Sequence, residues 1–162
     1  MIPTPQVVSF FAAGNPKGQP RPRAFARDGH TRVYDPGTAE GWKGQIAEAA
    51  RQGHLLLKPM EGPLKLSLLF TMPRTGTHYR SNGQVKDRAP LYHMVKPDCD
   101  NLAKAVMDAL TILKFWRDDN QVAEMEILKL YGDVPGCRIT IVELVAKAAV
   151  SVRQPELLGV GV

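Results

Sequence analysis

Three charged side chains in the stretch KPDCDNLAKAVMDAL, from Lys96 to Leu110, have types and spacing that could do chemistry: Asp98, Asp100 and Lys104. Asp118 and Asp119 follow in FWRDDNQ. Two carboxylates one residue apart at a helix entrance can do either of two things. They can cap the helix, since negative charge near its positive end is worth roughly 0.3–1 kcal/mol per exposed group. They can also hold a hard divalent cation, because carboxylate oxygens suit Mg²⁺ or Mn²⁺. Pro97 biases Lys96 toward extended geometry. That leaves Asp98 just before the helix and Asp100 in its first turn. Lys104, one turn after Asp100 on the same polar face, reads by itself as a surface ion pair worth about a few tenths of a kcal/mol. A helix of about 15 residues is roughly 22 Å long. Sequence spacing alone therefore does not bring Asp119 back to Asp98.

The elements that must position these groups follow from periodicity. QVVSFFAAG reads as a first strand, ended at Gly14-Asn15-Pro16. A long loop or ribbon follows, in which Pro20 and Pro22 forbid a helix, with a short strand piece at Val33-Tyr34. Thr38 is the expected N-cap of a helix through about Arg51, with Trp42, Ile46, Ala49 and Ala50 on one face. In LKLSLLFTM, Leu64, Leu66, Leu68 and Phe70 alternate with Lys65, Ser67, Leu69 and Thr71, which is the period of a strand. Residues 73–96 lack periodicity, and a loop of that length in a compact domain points to function or disorder. A helix over about 99 to 114 should bury Leu102, Val106, Ala109, Leu110 and Leu113, leaving Asp100, Lys104, Asp108 and Thr111 on the opposite side. VAEMEILKLYG reads as a strand whose alternation slips at Leu128, as a bulge would make it do. CRITIVEL is the last strand, after a turn at Gly132 to Gly136. The expected fold is α/β of the α+β kind: a mixed sheet of about four strands with two main helices packed on one face. Residues 1–145 form the expected domain, and 146–162 a tail or partner-binding extension.

The chain has 162 residues, enough for one domain with a real core. No apolar run approaches the roughly 18 residues that span a bilayer. The N-terminal MIPTPQVVSFF lacks the basic start and cleavage site of a signal peptide. Cys99 and Cys137 have neither zinc-ligand nor disulfide-framework spacing, which fits a reducing cytoplasm. The net charge of +5 is unevenly placed. Lys17, Arg21, Arg23, Arg27 and Arg32 lie in residues 17–32, and Arg74, Arg80, Lys86, Arg88 and Lys96 in residues 73–96. Only Asp28 and Asp87 offset them, so the two segments carry +8 and the remainder −3. Basic loops on a near-neutral body suggest a polyanion, most plausibly nucleic acid, against the plainer reading of a solvated basic surface. His30, His54, His78 and His93 lack paired metal-ligand spacing. Trp42 and Trp116 read as core or interface residues, while Phe25 and Tyr79, inside the basic loops, are candidates for base or sugar contact.

At the acidic positions the sequence resembles the RusA family of Holliday-junction resolvases, small endodeoxyribonucleases often carried by phages and prophages. The family's D-x-D-N-x-x-K motif matches Asp98, Asp100, Asn101 and Lys104, and its D-A-L matches Asp108, Ala109 and Leu110. Its D-D-x-Q-V matches Asp118, Asp119, Gln121 and Val122, and a late strand lysine matches Lys129. An N-terminal element resembles Gly14, Pro16, Arg21, Pro22 and Arg23. Cys99 stands where the pattern leads one to expect an aliphatic residue, which a small buried thiol can replace. The resemblance covers roughly residues 8–144 and implies a homodimeric, metal-dependent phosphodiesterase acting on branched DNA. It implies Asp98, Asp100 and Asp119 as the essential acidic triad, holding Mg²⁺ with Mn²⁺ as a substitute. Lys104 would be the basic catalytic residue and Asp118 a weaker candidate ligand. Lys129 and the ten cations of the two basic segments would contact DNA. The implied setting is the cytoplasm of a bacterial cell, with phage coding an option, and no membrane. Two alternatives stay open: a catalytically inactive DNA-binding relative, against which the retained acidic positions argue, and a nuclease of broader specificity for branched DNA.

Overall fold

The computed structural model describes residues 4–20, 23–27, 30–34 and 39–145, with side chains for 4–20 and 39–145. Six strands and two helices follow in order: β1 (Val7–Ala13), β2 (Arg23–Arg27), β3 (His30–Tyr34), α1 (Glu40–Arg51), β4 (Leu64–Pro73), α2 (Cys99–Ile112), β5 (Val122–Gly132) and β6 (Gly136–Glu143). The main sheet has the order β1-β6-β4-β5. β6 runs antiparallel to both β1 and β4, while β4 and β5 are parallel. A parallel pair needs a long crossover, and here residues 74–121, with α2 among them, supply it.

Strand alternation sorts the sheet into two faces. Phe10, Leu68 and Ile139 lie side by side in register and are buried, as are Ala12, Phe70 and Cys137. α1 and α2 pack against each other over this face, α1 against β1 and α2 against β5. Trp42, Ile46 and Ala50 come from α1, and Leu102, Val106, Ala109 and Leu110 from α2. Trp116 closes the core, with its indole N–H donating to Thr111 Oγ1 at 2.7 Å. No helix covers the opposite face among the described residues. There Ser9 hydrogen-bonds Thr140 at 2.9 Å, and Lys65 bridges Glu124 and Glu126 at 2.8 Å each. The expected mixed four-stranded sheet with two helices on one face is the fold observed. None of the described helices is long and apolar enough to cross a membrane.

Four local expectations are revised. Ala39, not Thr38, occupies the N-cap position of α1, and Thr38 lies outside the described residues. The first basic segment takes the ribbon form of the expected loop or ribbon, and its strand piece is longer than Val33-Tyr34: β2 and β3 pair Arg23 with Tyr34, Phe25 with Arg32 and Arg27 with His30. The irregularity in β5 is at its start. Leu64 pairs with Val122 and Lys65 with Glu124, so Ala123 is the extra residue. Leu128 keeps the alternation and points to the uncovered face beside Leu69. Finally, residues 74–98 carry local structure: a 3₁₀ turn at Gly76–His78, a bridge from Tyr79 to Val85, and a bridge from Tyr92 to Leu130. The last of these lays the chain along the outer edge of β5 and protects it from further pairing. The expected tail, 146–162, lies outside the described residues.

Candidate active site on the crossover connection

Asp98 takes the N-cap position of α2 with extended backbone (φ −74°, ψ 154°), yet its side chain makes no capping hydrogen bond. Of the two readings, capping by a side-chain hydrogen bond is therefore not what Asp98 does. Its exposed carboxylate has no hydrogen bond or ion pair among the described residues and is available to an outside ligand. Asp100 is exposed in the first turn. One turn on, Lys104 Nζ donates to Asp108 Oδ1 at 3.2 Å. Asp108 Oδ2 lies 3.6 Å from Lys43 Nζ, so one carboxylate joins α1 and α2 and restrains Lys104.

The chain is led into Asp98 between two supports. On one side Lys129 of β5 donates its ammonium to the carbonyls of Val95 (2.9 Å) and Pro97 (2.7 Å). Two backbone bonds, His93 N–H to Lys129 O at 3.1 Å and Tyr131 N–H to Leu91 O at 2.8 Å, fasten the same segment to the strand. On the other side the segment after β1 lies on the helix entrance. Gln19 N–H donates to Asn101 O at 2.8 Å, and a Cβ on Gly18 would stand 3.0 Å from that of Asn101 and 3.2 Å from that of Pro97. Burial and the neighbouring Lys129 ammonium hold the His93 imidazole below its ordinary 6.5.

Asp118 and Asp119 lie just before β5 and behave differently. Asp118 caps the 3₁₀ turn Asp119–Gln121, accepting from Asn120 N–H at 2.8 Å. Gln121 staples the turn to the chain. Its Oε1 accepts from the N–H groups of Arg117 (2.9 Å) and Asp118 (3.2 Å), and its Nε2 donates to the carbonyls of Met60 (3.1 Å) and Gly62 (3.0 Å). The exposed Asp119 carboxylate, like that of Asp98, has no hydrogen bond or ion pair among the described residues.

Asp119 shares a shallow cleft with Asp118, Asp108, Thr111 and Lys43. Asp108 is ten residues beyond Asp98 on α2, about 15 Å of helix rise. The three triad positions thus do not come together within one chain. Among the described residues no three His, Cys, Asp or Glu side chains are grouped to hold a metal ion. The donor chemistry at the helix entrance nevertheless suits Mg²⁺, which keeps several waters and takes only one or two protein carboxylates beside substrate phosphates. Asp98 and Asp100 provide such a pair.

The second basic segment divides by what each cation touches. Arg74 donates to Pro90 O at 3.1 Å and lies over the Tyr131 ring. Arg80 pairs with Asp87 at 2.6 Å, and Lys86 donates to Thr77 O at 2.8 Å. These three build the loop. Arg88 and Lys96 are exposed without such partners among the described residues, as is Lys17 beside the helix entrance. Of the first segment, Arg23, Arg27 and Arg32 lie on the ribbon, and Arg21 falls outside the described residues.

A family model described as "Endodeoxyribonuclease RusA" matches residues 13–142, most of the chain and every element from the end of β1 to β6. The chain belongs to the RusA endodeoxyribonuclease family. A relative described as "Uncharacterized protein YqaN" of Bacillus subtilis (strain 168) is 30% identical over 141 residues, covering 86% of this chain and 98% of that one. Several residues of the RusA-type motif acquire physical roles that their spacing did not reveal. Gln121 is the clearest, since its amide ends what would otherwise be loose backbone on both sides of the turn. The only sequence signal for that role was its place three residues after a capping aspartate, the pattern of a capping box.

Proposed function

We propose that the protein is a divalent-metal-dependent endodeoxyribonuclease that resolves four-way DNA junctions as a homodimer. The observation that carries this reading is the unengaged Asp98 carboxylate at the N-cap position, within the D-x-D-N-x-x-K motif of a RusA family member. That carboxylate is exposed at the helix entrance and can take an outside ligand. Asp98 and Asp100 would hold Mg²⁺ or Mn²⁺ at the helix entrance. The bound ion supplies an activated water and neutralises phosphate oxygens. Lys104 stands one turn along the same exposed side and offers positive charge to the phosphate as negative charge builds on it. Lys17, Arg88 and Lys96 grip neighbouring phosphates, and the ribbon, with its Arg-Phe-Arg and His-Arg-Tyr alternation, lies over DNA.

The distance between Asp98 and Asp119 within one chain supports the dimer. Two chains related by a twofold axis present the helix entrance of one copy to the Asp119 turn of the other, twice over. Such a pair also offers two sites to two strands of a junction.

The test is cleavage of a synthetic four-way junction by the full chain with and without Mg²⁺, beside flap and linear duplex substrates. Asp98→Asn, Asp100→Asn and Asp119→Asn should each abolish cutting while junction binding persists. Full cutting by all three would sink the proposal, and equal cutting of flap and duplex would favour a broader nuclease. Mixing the inactive Asp98→Asn and Asp119→Asn chains should restore nicking, because one site of each mixed dimer then has both aspartates.

A further inference from the structure

We propose that Lys129 is a positioning residue for the acidic site, fixing the backbone from which Asp98 projects, rather than a contact to DNA. The inference rests on the nuclease reading above and deepens it. Lys129 sits on β5 in register with the buried Phe70, so it belongs to the helix-covered face of the sheet. Its neighbours along that face, Ile127 and Tyr131, pack against the core. A lysine is out of place there unless its ammonium has partners, and it has two: the carbonyls of Val95 and Pro97. An ammonium has three N–H donors, and two are engaged by backbone two residues apart. The Pro97 carbonyl belongs to the peptide bond whose nitrogen is that of Asp98, so the clamp ends one bond from the candidate ligand. Both accepting groups are carbonyls, and no acidic side chain pairs with Lys129 among the described residues. The lysine thus acts on the chain path and not by pairing with a carboxylate. With Gly18 packed on the opposite side, the entrance of α2 is held from two directions. Residues that orient a metal ligand without touching the ion commonly change metal affinity or activity by about 10–100-fold.

The test compares Lys129→Met, of similar length and without N–H donors, and Lys129→Arg with wild type as full chains. Four quantities are read: Mn²⁺ affinity by electron paramagnetic resonance, junction affinity in Ca²⁺ against salt, cleavage rate, and melting temperature. Lys129→Met should weaken Mn²⁺ binding and slow cleavage by roughly 10–100-fold. Junction affinity and its salt slope should stay at wild-type values. In an Asp98→Asn background the same substitution should cause no further loss of Mn²⁺ affinity, because Lys129 acts through Asp98. A salt slope lowered by about one with cleavage at saturation intact would make Lys129 a phosphate contact and overturn the proposal. A loss of Mn²⁺ affinity that adds to that of Asp98→Asn would also overturn it. If Lys129→Met does not fold, Lys129→Arg decides by the same Mn²⁺ and salt readings. Wild-type Mn²⁺ binding without junction cleavage would refute the nuclease reading alone, leaving the clamp to be judged on Mn²⁺ affinity. A wild type that neither binds Mn²⁺ nor cuts overturns both.

Discussion

Asp118 and Asp119 are neighbours of one chemical type with separate tasks. The carboxylate of Asp118 accepts a backbone N–H and caps a turn, while that of Asp119 has no hydrogen bond or ion pair among the described residues. Asp118→Ala should therefore lower stability by about 0.5–2 kcal/mol, the usual cost of losing a cap. Asp119→Ala should leave the melting temperature unchanged. Thermal denaturation of the two variants checks this directly. His93 carries the second prediction at this scale. Burial, reinforced by Lys129, holds its folded-state value below the unfolded 6.5. The unfolded chain then binds more protons in the window below about pH 6.5, so stability is complete above that pH and falls as the pH drops through it. His93→Phe should flatten that part of a melting-temperature profile between pH 5 and 7. Residue identities were legible in the chain and their partners were not. Lys129 matched a motif position, but its contacts are backbone carbonyls, which have no residue type to read.

At the scale of elements, periodicity carried the reading wherever one face is buried. β4 alternates cleanly because Leu64 to Phe70 face the core at every second position. α2 shows its stripe because Leu102, Val106, Ala109 and Leu110 are all buried. The ribbon of β2 and β3 was legible only as one of two options, since Arg-Ala-Phe-Ala-Arg has no run of large apolar residues and follows two prolines. The slip at Leu128 suggested a bulge for a related reason. Leu128 is 43% exposed on the uncovered face, so its hydrophobicity reports that face and not an irregular backbone. Convergence of the acids was illegible in principle, since it depends on where the crossover returns. Gln121 controls that return at its final step. Gln121→Ala removes four hydrogen bonds and should destabilise the protein by about 1–3 kcal/mol. Amide hydrogen exchange should speed up over residues 117–121 before it does so in the central strands.

For the whole molecule, the basic charge is not one undivided patch. Arg74, Arg80 and Lys86 hold their own loop together, whereas Arg88, Lys96 and Lys17 have no such partner among the described residues. Substituting Arg88 or Lys96 by Ala should weaken binding to any branched DNA and lower the salt slope of binding by about one each. Arg74→Ala should act through loop order instead, raising proteolysis within residues 74–97 with a smaller change in slope. Equilibrium binding across a salt series, beside limited proteolysis, separates the two groups.

The strand order has a consequence for synthesis of the chain. β6 is the last of the described strands in sequence and lies between β1 and β4 in the sheet. While the chain grows on a ribosome, β1 therefore has no sheet partner until residues 136–143 have emerged. The helices have no continuous sheet to cover before then, and the acidic groups on the crossover have no rigid support. A nascent or prematurely terminated chain thus lacks the frame that holds the acidic groups in place, even though every aspartate has already been made.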